Sequence, residues 1–204
     1  MQLYRAAIDS DFFQKLTEFN KDGELFSKIM CDLGRRPVMH KYVAKEELLG
    51  VCSGLIEKLG IDIISCDDFL GDDPIQRAHY EIMFRDLYKF FCGCDFPDTE
   101  DVYTYTKKGE SLGEIRTALM AVWENIDMFL SDDGAAKTNI MKHIHSSRCK
   151  IEVYNIYDTL LAIGNSHSRK LKWQDVKGLA KRMGQRRSNP QYYEDIKKTW
   201  IVST

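Results

Sequence analysis

The chain has 204 residues, 44% of them hydrophobic and 29% charged, with a formal net charge of −2. This length buries a sizeable core in one domain, and the composition is that of an ordinary globular protein, which excludes disorder over most of it. No apolar run approaches the ~20 residues that cross a bilayer, and no basic start with an apolar middle and small-residue cleavage site opens the sequence; a cytoplasmic protein with no membrane partner is expected.

Charge is unevenly divided. Residues 165–204 carry ten Lys/Arg against three Asp/Glu, a net +7, which leaves 19 basic and 28 acidic residues, or −9, in 1–164. The expected organisation is therefore an acidic domain over 1–164 and a helical, basic C-terminal appendage over 165–204. Arg169, Lys170, Lys172, Lys181, Arg182, Arg186 and Arg187 are the candidates there for contacting nucleic-acid phosphates. A solvated basic helix is the plainer reading of the same residues.

In chain order, Leu3–Ile8 reads as a strand and Phe12–Leu33 as one or two helices, with Gly34 as the stop. Pro37–Met39 reads as a short strand or extended entry. A helical stripe (Ala44, Leu48, Val51, Leu55, Leu59) then predicts a helix over Tyr42–Leu59 closed by Gly60. Ile61–Ser65 is strand-like, and Asp73-Pro74 opens a long helix to about Phe91, with proline in a tolerated first-turn position. Gly93–Gly109 is polar and irregular. A helix over Ser111–Asn125, a strand over Met128–Ser131, a helix over Asp133–His145, a strand over Ile151–Val153 and a helix over Tyr157–Ile163 complete the pattern. Strands separated by helices predict an α/β three-layer sandwich with a central, mostly parallel sheet.

The cysteines (Cys31, Cys52, Cys66, Cys92, Cys94, Cys149) have no CxxC pair or Cys/His spacing that suits zinc, and read as reduced thiols, mostly small buried hydrophobes. His143 and His145, two apart, face different sides of a helix and do not predict a shared metal.

The informative residues are acids at strand ends. "RAAIDSDFF" places Asp9 and Asp11 after an apolar run, and "FLSDDGAAK" does the same with Asp132 and Asp133. Ligands of parallel sheets bind outside the carboxyl ends of the strands, where Asp9 and Asp132 should lie. Oxygen ligands from a few carboxylates suit a hard cation such as Mg²⁺ or Mn²⁺, and carboxylates gathered without one repel each other.

Each acid also has a structural explanation. Asp9 or Asp11 would cap the helix near Phe12, and Asp133 the helix that follows it; Ser111-Leu112-Gly113-Glu114 fits a capping box. Glu47 shares its helix side with Val43 and Val51 and is the inward choice over Glu46. "CDDFLGDDP" adds Asp67 and Asp68 as acids of the same crevice.

The chain resembles PIN-domain (PilT N-terminal) nucleases over roughly residues 1–155. Their pattern is an aspartate ending the first strand, a glutamate in a following helix, an acid starting a late helix and an aspartate ending the next strand. "AAID" supplies Asp9, "VAKEEL" supplies Glu47, and "LGEIRTALMAVWENIDMFLSDD" supplies Glu114 and Asp132 with Asp133. The resemblance implies a PIN-like fold and a divalent-metal-dependent ribonuclease. Its catalytic and metal-binding residues would be Asp9, Glu47, Glu114 and Asp132, with Asp133 a further metal ligand; its cofactor would be Mg²⁺ or Mn²⁺ and its substrate RNA. A homo-oligomer or a regulatory protein partner is left open. Residues 71–109 and the basic tail exceed a minimal PIN domain.

Two alternatives remain. "IDSDFF" contains the strand-end DxD of haloacid dehalogenase-like phosphohydrolases and "FLSDDGAAK" is loosely similar to that family's late acidic motif, although the Thr or Val that normally continues the first motif is not seen and the late motif wants a second aspartate spaced further on. A non-catalytic PIN-like module that binds nucleic acid or protein is the other, with Trp173, Tyr192, Tyr193 and Trp200 of the tail either stacking on single strands or anchoring the core.

Overall fold

Strands form where the short apolar runs stand. The computed structural model describes residues 4–48, 50, 52–107, 110–144, 150–186 and 189–202. In it, β1 (Tyr4–Ile8), β2 (Arg35–His40), β3 (Asp62–Ile64), β4 (Met128–Leu130) and β5 (Glu152–Tyr154) make a five-stranded sheet ordered β3-β2-β1-β4-β5. Every pairing is parallel. From β1 the chain builds outward to β2 and β3, then returns to lay β4 on the other side of β1. The gap between the carboxyl ends of β1 and β4 is thus a topological switch point, where parallel sheets leave a crevice.

Helices make every crossover. The helices α1 (Ser10–Phe19) and α2 (Glu24–Leu33) lead from β1 to β2, and a π-helical turn (Val43–Glu47) and α3 (Ser53–Lys58) lead to β3. Next, α4 (Cys66–Leu70), α5 (Pro74–Cys92) and α6 (Leu112–Trp123) lead to β4, and α7 (Gly134–His143) leads to β5. Last come α8 (Ile156–Gly164), α9 (Trp173–Arg186) and α10 (Pro190–Val202).

The two-residue alternation of strands divides the interior. Ala6, Ile8, Met39, Met128 and Leu130 face a core shared with α1, α2 and α8, whereas Ala7, Val38, Phe129 and Val153 face a second core shared with α5, α6 and α7. With both faces covered, the strands read as continuous apolar runs, as parallel strands do.

Some local expectations change. The Phe12–Leu33 segment splits into two helices at Gly23, whose φ of 76° suits glycine. The single helix expected over Tyr42–Leu59 does not form. Val43 to Leu48 closes an i→i+5 π turn, with Leu48 N–H donating to the Val43 carbonyl at 3.0 Å, and Gly50 then takes φ 84° before α3 starts. Gly93–Gly109 carries no helix or strand among its described residues, yet Phe96, Val102 and Tyr105 are buried in the second core. Of the cysteines, Cys52 and Cys66 are buried, Cys92 is half-buried and Cys31 and Cys94 are exposed. Leu3, Val51, His145 and Cys149 lie outside the described residues. Among the described residues no helix is long and apolar enough to cross a membrane.

The 165–204 segment packs on the domain it follows. Leu171, Val176, Leu179, Met183, Ile196 and Trp200 belong to the same core as β1, α1 and α2. Trp200 is 1% exposed and its indole N–H donates to the Leu160 carbonyl at 2.8 Å. Gly164 makes room for it: a Cβ there would lie 2.7 Å from the indole. Trp173 and Tyr193 pack against the same core, and Tyr192 meets Tyr157 edge-on. Trp173, Tyr193 and Trp200 are therefore core anchors.

Trp200→Ala should destabilise the whole domain by about 3–5 kcal/mol, the usual cost of emptying a large buried aromatic site. Urea unfolding monitored by circular dichroism checks this; a transition unchanged within about 0.5 kcal/mol would mean that the tail is not part of the cooperative unit.

Candidate active site

The switch-point crevice is built by the residues that end β1 and β4. Asp9 follows β1 and precedes α1, but its side chain makes no capping bond to that helix. It is 1% exposed. Ser131, following β4, donates its hydroxyl to Asp9 Oδ2 at 2.9 Å. Oδ1 of Asp9 is buried without a hydrogen-bond partner. A carboxylate oxygen in that condition costs free energy unless something else satisfies it.

Two glutamates come close enough to repel it. Glu47 arrives on the π turn and accepts hydrogen bonds from the Ser10 hydroxyl and the Gly113 N–H. Gly113 has to be glycine for this approach, because a Cβ would overlap the Glu47 carboxylate. Glu46 is exposed. Glu114 stands in the first turn of α6, yet Ser111 makes no side-chain cap, so the capping box does not form. The structural explanations for Asp9 and Glu114 both fall.

Electrostatics reflect the crowding. Burial pushes the Asp9 carboxyl well above its usual range, and repulsion from Glu114 and Glu47 adds to this, against the bonds from Ser131 and Ser10. Burial also raises Glu47, with the Ser10 and Gly113 bonds offsetting part of the effect. Glu114 is pushed up to about 7, by burial and then by repulsion from Glu47, Asp133 and Asp11, with its own backbone N–H working the other way.

Asp132 is buried beside this group but is differently engaged. Its Oδ1 accepts from the Ile156 N–H at the start of α8 at 3.2 Å, and its Oδ2 pairs with Lys15 Nζ at 3.1 Å. Lys15 also pairs with Asp11 at 2.7 Å. Burial disfavours the Lys15 ammonium, but its bonds to Asp11 and Asp132 outweigh that and raise its pKa. Asp133 caps α7 by accepting from the Ala135 N–H at 2.8 Å. Asp68 caps α4 through Ser65, and Asp67 pairs with Arg77, so both serve the β3 end.

Sequence reading missed Ser10, Lys15, Gly113 and Ser131, which position the acids. Ser131 lies inside the "FLSDD" stretch and Ser10 beside Asp9, so adjacency was the available signal. The contact of Gly113 with Glu47 joins positions far apart in the chain and leaves no local trace.

The donors bear on whether a Mg²⁺ or Mn²⁺ ion fits. Three carboxylates that repel one another, with one orphaned buried oxygen, have the hard-oxygen chemistry such ions take. Among the described residues, no three His, Cys, Asp or Glu side chains are already gathered tightly enough to hold a metal ion.

The tail cations stand elsewhere. Arg169 donates to the carbonyls of Gly164, Ser166 and Trp200 and lies over the Trp200 ring. Backbone N–H groups of Lys170 and Leu171 bond Asp32 in the last turn of α2, next to where β2 enters the sheet. Arg182 reaches Glu18 at 3.4 Å, eight residues beyond Ser10 and so about 12 Å down α1. Lys172 and Lys181 are exposed, and Lys181 lines a groove with Tyr193. These contacts place Arg169, Lys170 and Arg182 toward the amino edge of the sheet, opposite Asp9. Arg187 and the side chain of Arg186 lie outside the described residues.

No protein-family model, curated protein or solved structure matches the chain.

The elevated carboxyls set a pH dependence. Glu114 titrates near 7 when folded against 4.5 as its ordinary value, so the folded state binds the extra proton, and stability falls as pH rises from about 4.5 to about 7. Each pH unit of such elevation costs about 1.4 kcal/mol. Glu114→Gln should therefore raise the melting temperature at pH 8 in EDTA and flatten its dependence between pH 5 and 7.5. A variant no more stable than wild type at pH 8 would contradict the repulsion described.

Proposed function

We propose that the chain is a PIN-like, divalent-metal-dependent nuclease that hydrolyses phosphodiester bonds of single-stranded RNA at the crevice between β1 and β4. The observation that carries this reading is Asp9 Oδ1, buried and unpartnered, facing repulsion from Glu47 and Glu114. Asp9, Glu47 and Glu114 form a buried group of carboxylates whose neighbouring cation, Lys15, is engaged by Asp11 and Asp132, a costly arrangement that a bound metal ion relieves. Strand-end acids at a switch point, matching the spacing by which the sequence resembles PIN-domain nucleases, support the same reading, and RNA as substrate rests on that resemblance.

Asp9, Glu47 and Glu114 would hold Mg²⁺ or Mn²⁺, with Asp132 at the edge of the group. Bound there, the ion's chemistry is Lewis-acid polarisation of a phosphodiester oxygen and a lowered pKa for water. Ser131 fixes the Asp9 carboxylate through Oδ2 and leaves Oδ1 unbonded. Ser10 and the Gly113 N–H orient Glu47. Glu114, titrating near neutrality, is the group suited to take or release a proton at working pH. Asp132 orients Lys15 and the start of α8. Asp133, engaged in capping α7, is the least suited of the five acids to act as a ligand.

A non-catalytic nucleic-acid-binding module is the second reading. The engagement of Asp132 with Lys15 favours it, because that ammonium already supplies a positive charge at the crevice.

Asp9→Asn should keep the fold and abolish cleavage of single-stranded RNA in Mn²⁺. Gly113→Ala, which displaces Glu47 without touching a ligand, should weaken Mn²⁺ binding by roughly 10–100-fold. Mn²⁺ at 100 times its Kd should stabilise wild type by about 2.7 kcal/mol and Asp9→Asn much less. Equal cleavage by wild type and Asp9→Asn would refute the assignment of Asp9. A wild type that binds RNA but cleaves none in Mg²⁺ or Mn²⁺ would favour the binding module.

A further inference from the structure

A second cavity opens beside the acid crevice. It encloses about 390 Å³ at the carboxyl ends of β2 and β3, bordered by Lys41, Tyr42, Lys45, Ser65, Tyr103 and Arg116. Its floor holds an unusual charge. Arg116 is 2% exposed, and among the described residues it pairs with no carboxylate. Three backbone carbonyls hold its guanidinium: Tyr103 at 3.1 Å, Val102 at 2.8 Å and Tyr105 at 2.9 Å. The rings of Tyr42 and Phe84 flank it at 4.8 and 5.5 Å. Its Nε is buried with no partner. Buried charges are ordinarily paired, and carbonyl dipoles satisfy N–H groups without cancelling a full charge.

Lys41 and Lys45 stand exposed at the mouth, and neither is ion-paired among the described residues. The acids on the rim are Glu46 and Asp67, and Asp67 is already paired with Arg77 at 2.7 Å. The local field is positive: burial holds the His40 imidazole neutral, with a pKa lowered to about 3, and Arg116 and Lys41 push in the same direction.

Both elements that deliver acids to the crevice also deliver cations here. Glu47 and Lys45 share the π turn, two residues apart, and Glu114 and Arg116 share α6, also two apart. Such neighbours point to different sides of a helical backbone, so the chain separates a carboxylate crevice from a cationic cavity by the thickness of one turn. We infer that this cavity receives a phosphate of the nucleic-acid strand whose neighbouring phosphodiester lies at the carboxylate crevice, with Lys41 and Lys45 contacting the phosphate, Arg116 adding its charge from the floor beneath and Tyr103 offering a ring beside it. The inference rests on the nuclease reading for its substrate, and on the unpaired buried arginine for its site. A cation-lined cavity next to the acids also supplies the attraction for a polyanion that a cluster of carboxylates repels.

The experiment is fluorescence anisotropy with a labelled 12-nucleotide oligouridylate and the full chain in EDTA, repeated over a range of salt. Lys41→Ala/Lys45→Ala removes exposed side chains and should leave melting unchanged. It should weaken binding about tenfold and lower the slope of log K against log salt by about 1.4, two contacts at roughly 0.7 each for a single strand. Lys177→Ala/Lys181→Ala removes equal charge from α9 and should cost less than half of that loss in log K. A Lys41/Lys45 variant that binds and cleaves like wild type overturns the cavity and leaves the nuclease reading in place. Loss of binding with no cleavage by wild type in any metal overturns the nuclease reading and supports the cavity. A loss confined to the Lys177/Lys181 variant assigns the strand to the tail and overturns the cavity.

Discussion

Everything at the carboxyl edge is arranged around one unmade interaction, the second oxygen of the Asp9 carboxylate. The β1–β4 pairing buries it: the Asp9 N–H donates to the Leu130 carbonyl at 3.0 Å, which draws the residue into the ladder and places its side chain at the switch point. Ser131 can satisfy one oxygen only. The other stays buried because Glu47 and Glu114 close the site, and neither can donate to it while ionised. Removing the repulsion would be simple for a fold under no other demand, since an asparagine at position 9 would supply a donor and lose the charge. The arrangement is a local defect in stability maintained by well-packed surroundings, as functional sites commonly are.

The surroundings explain how such a defect is tolerated. Ala6, Ala7 and Ile8 are fully buried between two helical layers, so β1 cannot shift to relieve the carboxylate it ends in. On one side α1, α2 and α8 form a core that reaches through α9 and α10 to Trp200. The basic C-terminal segment thus contributes to that core. Arg182 pairs with Glu18 and Arg169 with carbonyl oxygens, on the side away from Asp9, while Asp32 accepts from the backbone N–H groups of Lys170 and Leu171.

The layered parallel sheet was legible in the sequence because short apolar runs, alternating with helical stripes, leave few other solutions. Strand-end acids were legible for the same reason: once β1 and β4 are parallel neighbours, Asp9 and Asp132 must share an edge. The π turn was not legible. Its apolar positions fit an ordinary helix through Leu59, and the departure depends on Gly50 and on the pull of Ser10 and Gly113 on Glu47, contacts between distant positions. Composition also singles out the tail. Net charge counts every arginine equally, whereas Arg116, buried with backbone carbonyls as its hydrogen-bond acceptors, sits in an apolar stretch of α6 and reads in sequence as an ordinary helix cation.

The π turn ties these points together. In a regular α-helix Lys45 and Glu47, two apart, would already face different sides; in the π turn Glu47 lies on the bare face of Gly113 and Lys45 is exposed. Such turns are strained relative to the α-helix and recur where a side chain has to be re-aimed. On α6 the corresponding device is Gly113 itself, which lets the helix approach the turn so closely that Glu114 falls within reach of Asp9 and Arg116 is pressed against Tyr42. The contact of the Glu47 carboxylate with the Gly113 backbone joins the turn to α6, the two elements that carry both the acids and the cations, so a change that loosens it should alter the crevice and the cavity together.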